Sequence, residues 1–272
     1  MGGPILVIKM GAEVIEHNLD EVILDIKNNI VGNGYRVVIV HGGGDIVSRY
    51  SRMMGIEPVF VMSPSGIRSR YTSKEELEVY IMVMAGLINK MIVAKAINMG
   101  LKAIGLSGVD GGIVEAIRKR RIIIVDERGR KRVIDGGYTG KITSVNPSII
   151  LNLLDEGFTL VISPIAMGDE GVPLNVDGDS MAKAIASSIK AHALIFLTDV
   201  EGVVVNGRVV GNLSSSNAED LASSIGPGMN RKLLAAASAV KEGVGKAIIC
   251  SGLSRNPIST ALKGKGTVIE DS

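Results

Sequence analysis

Two hydrophobic rhythms alternate along this chain. Short apolar, β-branched runs at 4–11, 36–40, 102–106, 158–163, 193–198, 246–250 and 267–269 read as buried strands. Between them, apolar residues recur at helical spacing. Leu19, Val22, Ile23, Ile26 and Ile30 form one such stripe, closed by Gly32 and Gly34, and 45–54, 179–190, 217–225 and 229–240 carry others. Ser73 with Glu76 three residues on is a capping-box signature; it opens a helix through Leu77, Tyr80, Ile81, Met84, Leu87, Ile88, Met91 and Ile92. That helix is apolar on most of its circumference, which suits a helix buried on two sides or one that closes a dimer seam. Asn146-Pro147 opens another helix that ends near Gly157. Alternation of this kind predicts an α/β protein.

The rhythm breaks between 113 and 145. Short β-rich pieces there, with a turn at Glu127-Arg-Gly-Arg130, predict an antiparallel flap inserted into the α/β order. Residues 58–67 read as a hairpin, and 203–210 as another that turns at Asn206-Gly207. The α/β rhythm resumes after the flap, and a boundary near Ser163 divides the chain into lobes 1–163 and 164–272.

Composition adds the core's building material. With no Trp, 3 Phe and 5 Tyr, the core must come from Ile, Val, Leu, Ala and 12 Met. A net charge of +2 gives no general case for nucleic acid as a partner. The charge is uneven, however: Arg118-Lys-Arg-Arg121, Arg128, Arg130, Lys131 and Arg132 face only Asp126 and Glu127 across the flap. That is either a solvated basic hairpin or a surface for an acidic partner. The single Cys250 reads as a small buried hydrophobe and permits no internal disulfide, which suits a reducing cytosol. No signal peptide or membrane span is read, so a soluble, cytoplasmic protein is expected.

Candidate chemistry gathers at strand ends. Lys9 closes the first strand, where ligands bind in open α/β sheets, unless it merely reaches solvent. Val40-His-Gly-Gly-Gly44 joins a strand to a helix, a geometry in which backbone N–H groups face an anion. It lacks the Gly-Lys-Ser/Thr of a Walker loop and the third spaced glycine of G-x-G-x-x-G, and it can equally be a tight turn. His17, His41 and His192 have no ligand-like spacing, so no zinc site is read, and His41 serves either to orient the glycines or as ordinary structure. Asp177 and Asp179 suit metal ligation or helix capping. Two lysines, Lys9 and Lys232, two glycine-rich turns and a loop with Asn175 and carboxylates make a parts list for phosphoryl transfer, which is mostly positioning and charge neutralisation.

Lys9-Met-Gly11, Val40-His-Gly-Gly-Gly44, Asn175-Val-Asp-Gly-Asp-Ser-Met-Ala182, Leu197-Thr-Asp-Val-Glu-Gly202 and Gly228-Met-Asn-Arg-Lys232 resemble, in order, the motifs of the amino acid kinase family. The resemblance implies a three-layer αβα sandwich with an open, mainly parallel sheet. It implies an N-terminal lobe for the acyl amino acid and for dimerisation, and a C-terminal lobe for ATP, with Mg²⁺ carried in on the nucleotide and no resident metal. By similarity, Lys9 and Lys232 stabilise the transferring phosphoryl group and Asp179 organises both. Gly43 and Gly44 offer N–H groups to it and to the acceptor carboxylate, and Asn175 holds the substrate's amino-acid end. Gly11, Thr198, Asp199, Gly202 and Gly228 border the nucleotide, and Arg68 or Arg70 grips the substrate's α-carboxylate, with the register from Thr72 favouring Arg70.

Two branches of the family compete. The five motifs match the N-acetylglutamate kinase branch, but Gly105-Leu-Ser-Gly-Val-Asp-Gly-Gly112 and Gly136-Gly-Tyr-Thr-Gly140 look like the lysine-pathway branch. That branch implies ATP-dependent phosphorylation of the side-chain carboxylate of aminoadipate or glutamate, for lysine biosynthesis and, with glutamate, arginine biosynthesis. Its substrate is borne on the C-terminal Glu of a small acidic carrier protein, LysW, which would give the basic flap its purpose. The alternatives are N-acetylglutamate kinase and a non-catalytic sensor of nucleotide or amino acid on the same scaffold. A homodimer is expected, with no nucleic-acid or membrane partner.

Overall fold

The computed structural model describes residues 2–226 and 228–271. β1 (Ile5–Met10) is followed by the short α1 (Ala12–His17) and α2 (Leu19–Asp25), then β2 (Arg36–His41) and α3 (Gly44–Met53). The hairpin β3 (Val59–Met62) and β4 (Arg68–Tyr71) leads to α4 (Lys74–Ile81), a π-helical stretch (Met82–Ile88) and α5 (Asn89–Asn98), which form one rod over Lys74–Asn98. β5 (Ala103–Ser107) precedes the flap strands β6 (Val114–Arg118), β7 (Arg121–Val125), β8 (Lys131–Asp135) and β9 (Gly140–Val145). After α6 (Pro147–Asp155) come β10 (Thr159–Ser163), β11 (Ile165–Gly168) and β12 (Pro173–Asn175). The remainder is α7 (Gly178–Ser188), β13 (Ala193–Thr198), the β14 (Val204–Val205) and β15 (Arg208–Val209) hairpin, β16 (Asn212–Leu213), α8 (Ser215–Ala222), α9 (Met229–Lys241), β17 (Ala247–Ser251), α10 (Pro257–Leu262) and β18 (Thr267–Ile269).

Eight strands form the central sheet in the order β16-β18-β17-β13-β1-β2-β10-β5. Every pairing in it is parallel except β17 with β18. Helices cover both faces, as the αβα reading expects: one apolar cluster packs α6, α7, α8 and α9 on one side, and another packs α2, α3, the 74–98 rod and α10 on the other. β1 and β2 sit at the centre, so both faces of each strand are buried, which explains their unbroken apolar runs. Strand alternation then decides what faces where. Ile5 and Val7 belong to the α7 side, which places Lys9 there too; Val37 and Ile39 belong to the rod side, which places His41 there.

The flap strands pair antiparallel as expected, β6 with β9 and β7 with β8, and they divide between two sheets. β6 and β9 join β11 and β12 in one sheet, while β7 and β8 join the β3–β4 hairpin in another. The hairpin runs on to Tyr71, so Arg68 and Arg70 lie two apart on one strand and share a face. Beyond Ser163, β11 pairs with β6 of the first half and β12 pairs with β11, while in the central sheet the two halves of the chain meet at β1 and β13. Ser73 does cap α4 by accepting the Glu76 N–H at 3.2 Å, but Glu76 does not return the bond. Its carboxylate is buried and paired with Arg70. The 74–98 rod is long and apolar enough to suit a membrane span by length and composition, which the sequence reading passed over. Here Val79, Tyr80, Val83, Ile88 and Ile92 of that rod are buried against the sheet. As expected, Asn206 and Gly207 both have positive φ in the β14–β15 turn.

Candidate active site

Lys9 stands near the end of β1 with its side chain on the α7 side of the sheet, and Asp179 occupies the first turn of α7. Their charges meet at 2.9 Å (Lys9 Nζ to Asp179 Oδ1). Lys232, in the first turn of α9, donates to Asp179 Oδ2, also at 2.9 Å. One carboxylate thus bridges two ammonium groups drawn from opposite ends of the chain. Burial alone would lower the Lys9 pKa, but Asp179 outweighs it and the net shift is upward. Lys232 moves the other way, because burial and the charge of Lys9 together exceed what Asp179 returns. Burial would raise the Asp179 carboxyl, yet Lys9 and Lys232 hold it far below the usual carboxylate range. Asp177, one residue before α7, caps that helix by accepting from the Ser180 N–H at 2.9 Å and also pairs with Arg231.

Gly42, Gly43 and Gly44 turn the chain from β2 into α3 beside this cluster. The Gly42 N–H extends the sheet ladder to Met10 O at 2.7 Å. Gly43 has φ 146°, and a Cβ there would stand 2.2 Å from Ile88 Cδ1, so both backbone and space demand glycine. Among the described residues, the N–H groups of Gly43 and Gly44 find no acceptor, and they lie at the N-terminus of a ten-residue helix. His41 is fully buried behind the turn, where burial pushes its imidazole down to about 4, and it is neutral at physiological pH.

A cleft of about 1,300 Å³ joins these parts. Of the residues singled out from the sequence, Lys9, Gly11, Gly43, Gly44, Arg68, Arg70, Asn175, Asp179, Thr198, Asp199, Gly228 and Lys232 all line it. Gly202 does not: it is buried behind, where a Cβ would meet Val209 and Thr267. The Gly11 N–H is already used, donating to Leu197 O at 3.2 Å. The Thr198 hydroxyl is likewise engaged, donating to Val200 O at 3.0 Å. Asn175 donates to the Thr72 hydroxyl at 2.8 Å, which fixes its amide beside the junction of β4 and α4.

Arg68 and Arg70 divide their work. Both stack over Phe60, with guanidinium carbons 3.8 and 4.9 Å from its ring centroid. Arg70 is otherwise committed inward, paired with buried Glu76 and donating to Gly44 O at 2.7 Å and to Ser48. Arg68 makes no ion pair among the described residues. Four more cations line the cleft, Lys119, Lys141, Lys183 and Arg231, none of them given a site role from the sequence. Arg231, next to Lys232, donates to Arg68 O at 3.1 Å and pairs with Asp177, tying α9 to the hairpin and to α7. Lys119 and Lys141 enter from the flap, and Lys119 lies below the usual lysine range through burial and the charge of Arg231. Among the described residues no group of three or more His, Cys, Asp or Glu gathers to hold a metal ion.

Comparison with known proteins bears on what such a cleft does. The sequence profile of the amino acid kinase family matches residues 4–251. A Saccharolobus islandicus protein named LysW-aminoadipate/LysW-glutamate kinase is 54% identical over 265 residues, covering 97% of this chain and 98% of its own. Among solved structures, a protein of Streptococcus mutans UA159 superimposes with a TM-score of 0.79 at 26% identity, over 98% of this chain and 99% of its own. The N-acetylglutamate synthase of Neisseria gonorrhoeae, complexed with coenzyme A and N-acetyl-glutamate, shares the fold at TM-score 0.81 and 22% identity, over 100% of this chain and 60% of its own.

Proposed function

The chain belongs to the amino acid kinase family, and we propose that within it the protein uses ATP to phosphorylate the side-chain carboxylate of aminoadipate or glutamate borne on a small acidic carrier, LysW. The observation that carries the reading is the carboxylate of Asp179 held between Lys9 and Lys232 beside the unspent N–H groups of Gly43 and Gly44. An acceptor carboxylate is already an anion at neutral pH and needs no base. One of its oxygens attacks the γ-phosphorus, the bond from that phosphorus to the ADP oxygen breaks, and ADP departs with no proton transferred. What the protein must supply is alignment and neutralisation of charge on the moving phosphoryl group.

Lys9 and Lys232 supply that neutralisation as mobile point charges, and Asp179 keeps them from repelling each other. Gly43 and Gly44 face the acceptor and the phosphoryl oxygens. Mg²⁺ would come in on the nucleotide phosphates, since the cleft offers carboxylates singly rather than as a cage. In this reading the half built on β1, β2, β10 and β5 takes the acyl group, and the half around β13 and β17 takes ATP, with Thr198, Asp199 and Gly228 along its edge.

A carrier-borne substrate is favoured over N-acetylglutamate by the cations on the acyl side. Arg68, Lys119, Lys141 and Arg231 line that side, and the basic flap continues them outward. A free acetylated amino acid has one carboxylate besides the acceptor, whereas the carrier's terminus and its acidic surface add more. The exposed Met82, Met91 and Ile97 on the outer side of the 74–98 rod suit a homodimer seam.

Trapping the acyl phosphate tests the reading. With ATP, Mg²⁺ and hydroxylamine, hydroxamate is expected from carrier-bound aminoadipate or carrier-bound glutamate. Hydroxamate from N-acetylglutamate alone would overturn the carrier assignment, and none from any of the three would overturn the kinase.

A further inference from the structure

His41 and Asn89 belong to no step above, yet both are fully buried and meet directly behind the glycine turn. Asn89 opens α5 where the π-helical stretch ends, one residue after the Ile88 that fills the space beside Gly43. π-Helical turns recur at functional sites because they offset the following residues around the helix. Space for the Asn89 amide comes from Gly105: a Cβ there would stand 2.0 Å from Asn89 Oδ1.

The orientation of the Asn89 amide is fixed by its partners. Its Nδ2 donates to Val161 O at 2.9 Å and to Leu106 O at 3.3 Å, and its Oδ1 accepts from Lys90 Nζ at 3.1 Å. Turning the amide over would set oxygen against two carbonyls. The same Nδ2 stands 3.5 Å from His41 Nε2, but both its hydrogens are turned to the two carbonyls, so the tautomer of the ring is decided at its other nitrogen. A neutral imidazole carries a single proton, and a ring nitrogen that meets a carbonyl oxygen must hold it. His41 Nδ1 lies 2.9 Å from the Gly42 carbonyl and so donates to it.

We propose that His41, held in its Nδ1–H tautomer by the Gly42 carbonyl and backed by Asn89, is a positioning residue that aims the Gly43 N–H at the transferring phosphoryl group. The Gly42–Gly43 peptide is planar and trans, so its C=O and N–H point in opposite directions. Holding the carbonyl inward on His41 turns the Gly43 N–H toward the cleft. The Gly42 N–H bond to Met10 O anchors the other side of the same glycine. Asn89 packs against the Nε2 side of the His41 ring and touches no reacting atom. The aim of the N–H matters only if phosphoryl transfer takes place there, so the inference rests on the kinase reading.

Asparagine and glutamine separate the two ring nitrogens. An Asn amide nitrogen falls near the place of Nδ1, and a Gln amide nitrogen near that of Nε2. His41→Asn is expected to keep kcat within about 5-fold of the parent, while His41→Gln lowers it roughly 10- to 100-fold with KM for ATP little changed, since removing an oxyanion donor outright costs about 10²–10³. Equal losses in the two variants, or a loss that follows thermal stability alone, would overturn the proposal. Nitrogen-15 NMR of the His41 ring in the parent protein gives a readout independent of turnover. A protonated Nδ1 and bare Nε2 are expected; the opposite tautomer would overturn the proposal even in an active enzyme. No activity with any acceptor would instead remove the kinase reading, and the tautomer would still be measured.

Discussion

Asp179 and Asp126 are the same construction at two depths. Each carboxylate is gripped by two cations: Asp179 by Lys9 and Lys232 at 2.9 Å each, Asp126 by Arg130 at 3.3 Å and Arg132 at 2.9 Å. In the cleft the three side chains are 8–19% exposed, whereas on the flap both arginines are more than half exposed. The causes of their depressed pKa values differ accordingly. At Asp179 the lysines overcome a burial penalty. At Asp126 the Arg130 backbone N–H comes first, with the Arg128 N–H also contributing, and the flanking arginines matter less. Asp126 is a turn-former with cations nearby, and Asp179 is a counter-ion that keeps two ammonium groups together. Counting charges would call them equal; water decides that they are not.

Removing each carboxylate breaks the comparison most sharply. Asp179→Asn leaves two buried ammonium groups facing each other, which is expected to cost about 3–5 kcal/mol of unfolding free energy and more than about 10³-fold in kcat. Asp126→Asn keeps an oxygen for the turn N–H groups and is expected to move the melting midpoint by about 2 °C or less. Denaturant titration of both variants, with hydroxamate rates, measures the contrast. Similar stability losses in the two would mean that depth does not separate them.

How much of this was legible in the sequence follows the same division. Lys9, the glycine turn, Asp179 and Lys232 lie at strand ends and helix starts, which the hydrophobic rhythm locates, and in motifs that resemble the family's; the fold brings them to one cleft. The central parallel sheet was legible for the same reason. What the sequence hid are pairings across long stretches of chain. Asn89 meets His41 from 48 residues away, and Arg231 reaches Arg68 from 163 residues away. Neither contact leaves a local pattern, and Asn89 lies inside a stretch that reads as plain apolar helix. Glu76 sat in a capping-box pattern, and only the fold brings Arg70 close enough to take its carboxylate. Gly202 belongs to a motif that borders the cleft, yet the turn carries it behind Val209 and Thr267. β11 and β12 were missed because Ile165–Gly168 and Pro173–Asn175 are short and carry Gly and Pro instead of an unbroken apolar run.

Acid sharpens the comparison by a second route. His41 is neutral and buried, with Lys9 on β1 and Lys90 on α5 both disfavouring its imidazolium. In the unfolded chain it takes up a proton near its ordinary value of 6.5, while in the folded protein it resists until about 4. The unfolded state therefore binds more protons between those values, and stability falls as pH drops from 6.5 toward 4, by about 3 kcal/mol in all. The depressed Asp179 adds its own loss only as pH falls below 3.8. Unfolding measured across pH 4–7 is expected to show this slope in the parent and to lose most of it in His41→Asn. A parent with flat stability over that window would show that the imidazole is not held neutral behind the turn.

The flap supplies the smallest energetic effect and the most selective one. Arg130 and Arg132 lie in high dielectric, so their pairing with Asp126 contributes little to folding. Exposed charge acts instead at a distance, by drawing an oppositely charged partner into encounter and holding its orientation. Reversing both, as Arg130→Glu with Arg132→Glu, is expected to raise KM for a carrier-borne substrate roughly 10-fold at low salt and to leave kcat and the melting midpoint nearly unchanged. The difference from the parent should shrink at about 0.5 M salt, where the screening length is only a few ångströms. A salt-independent KM change would mean that the arginines make direct short-range contacts. A fall in kcat would tie the flap to the cleft that Asp179 lines, and would erase the distinction between the two carboxylates.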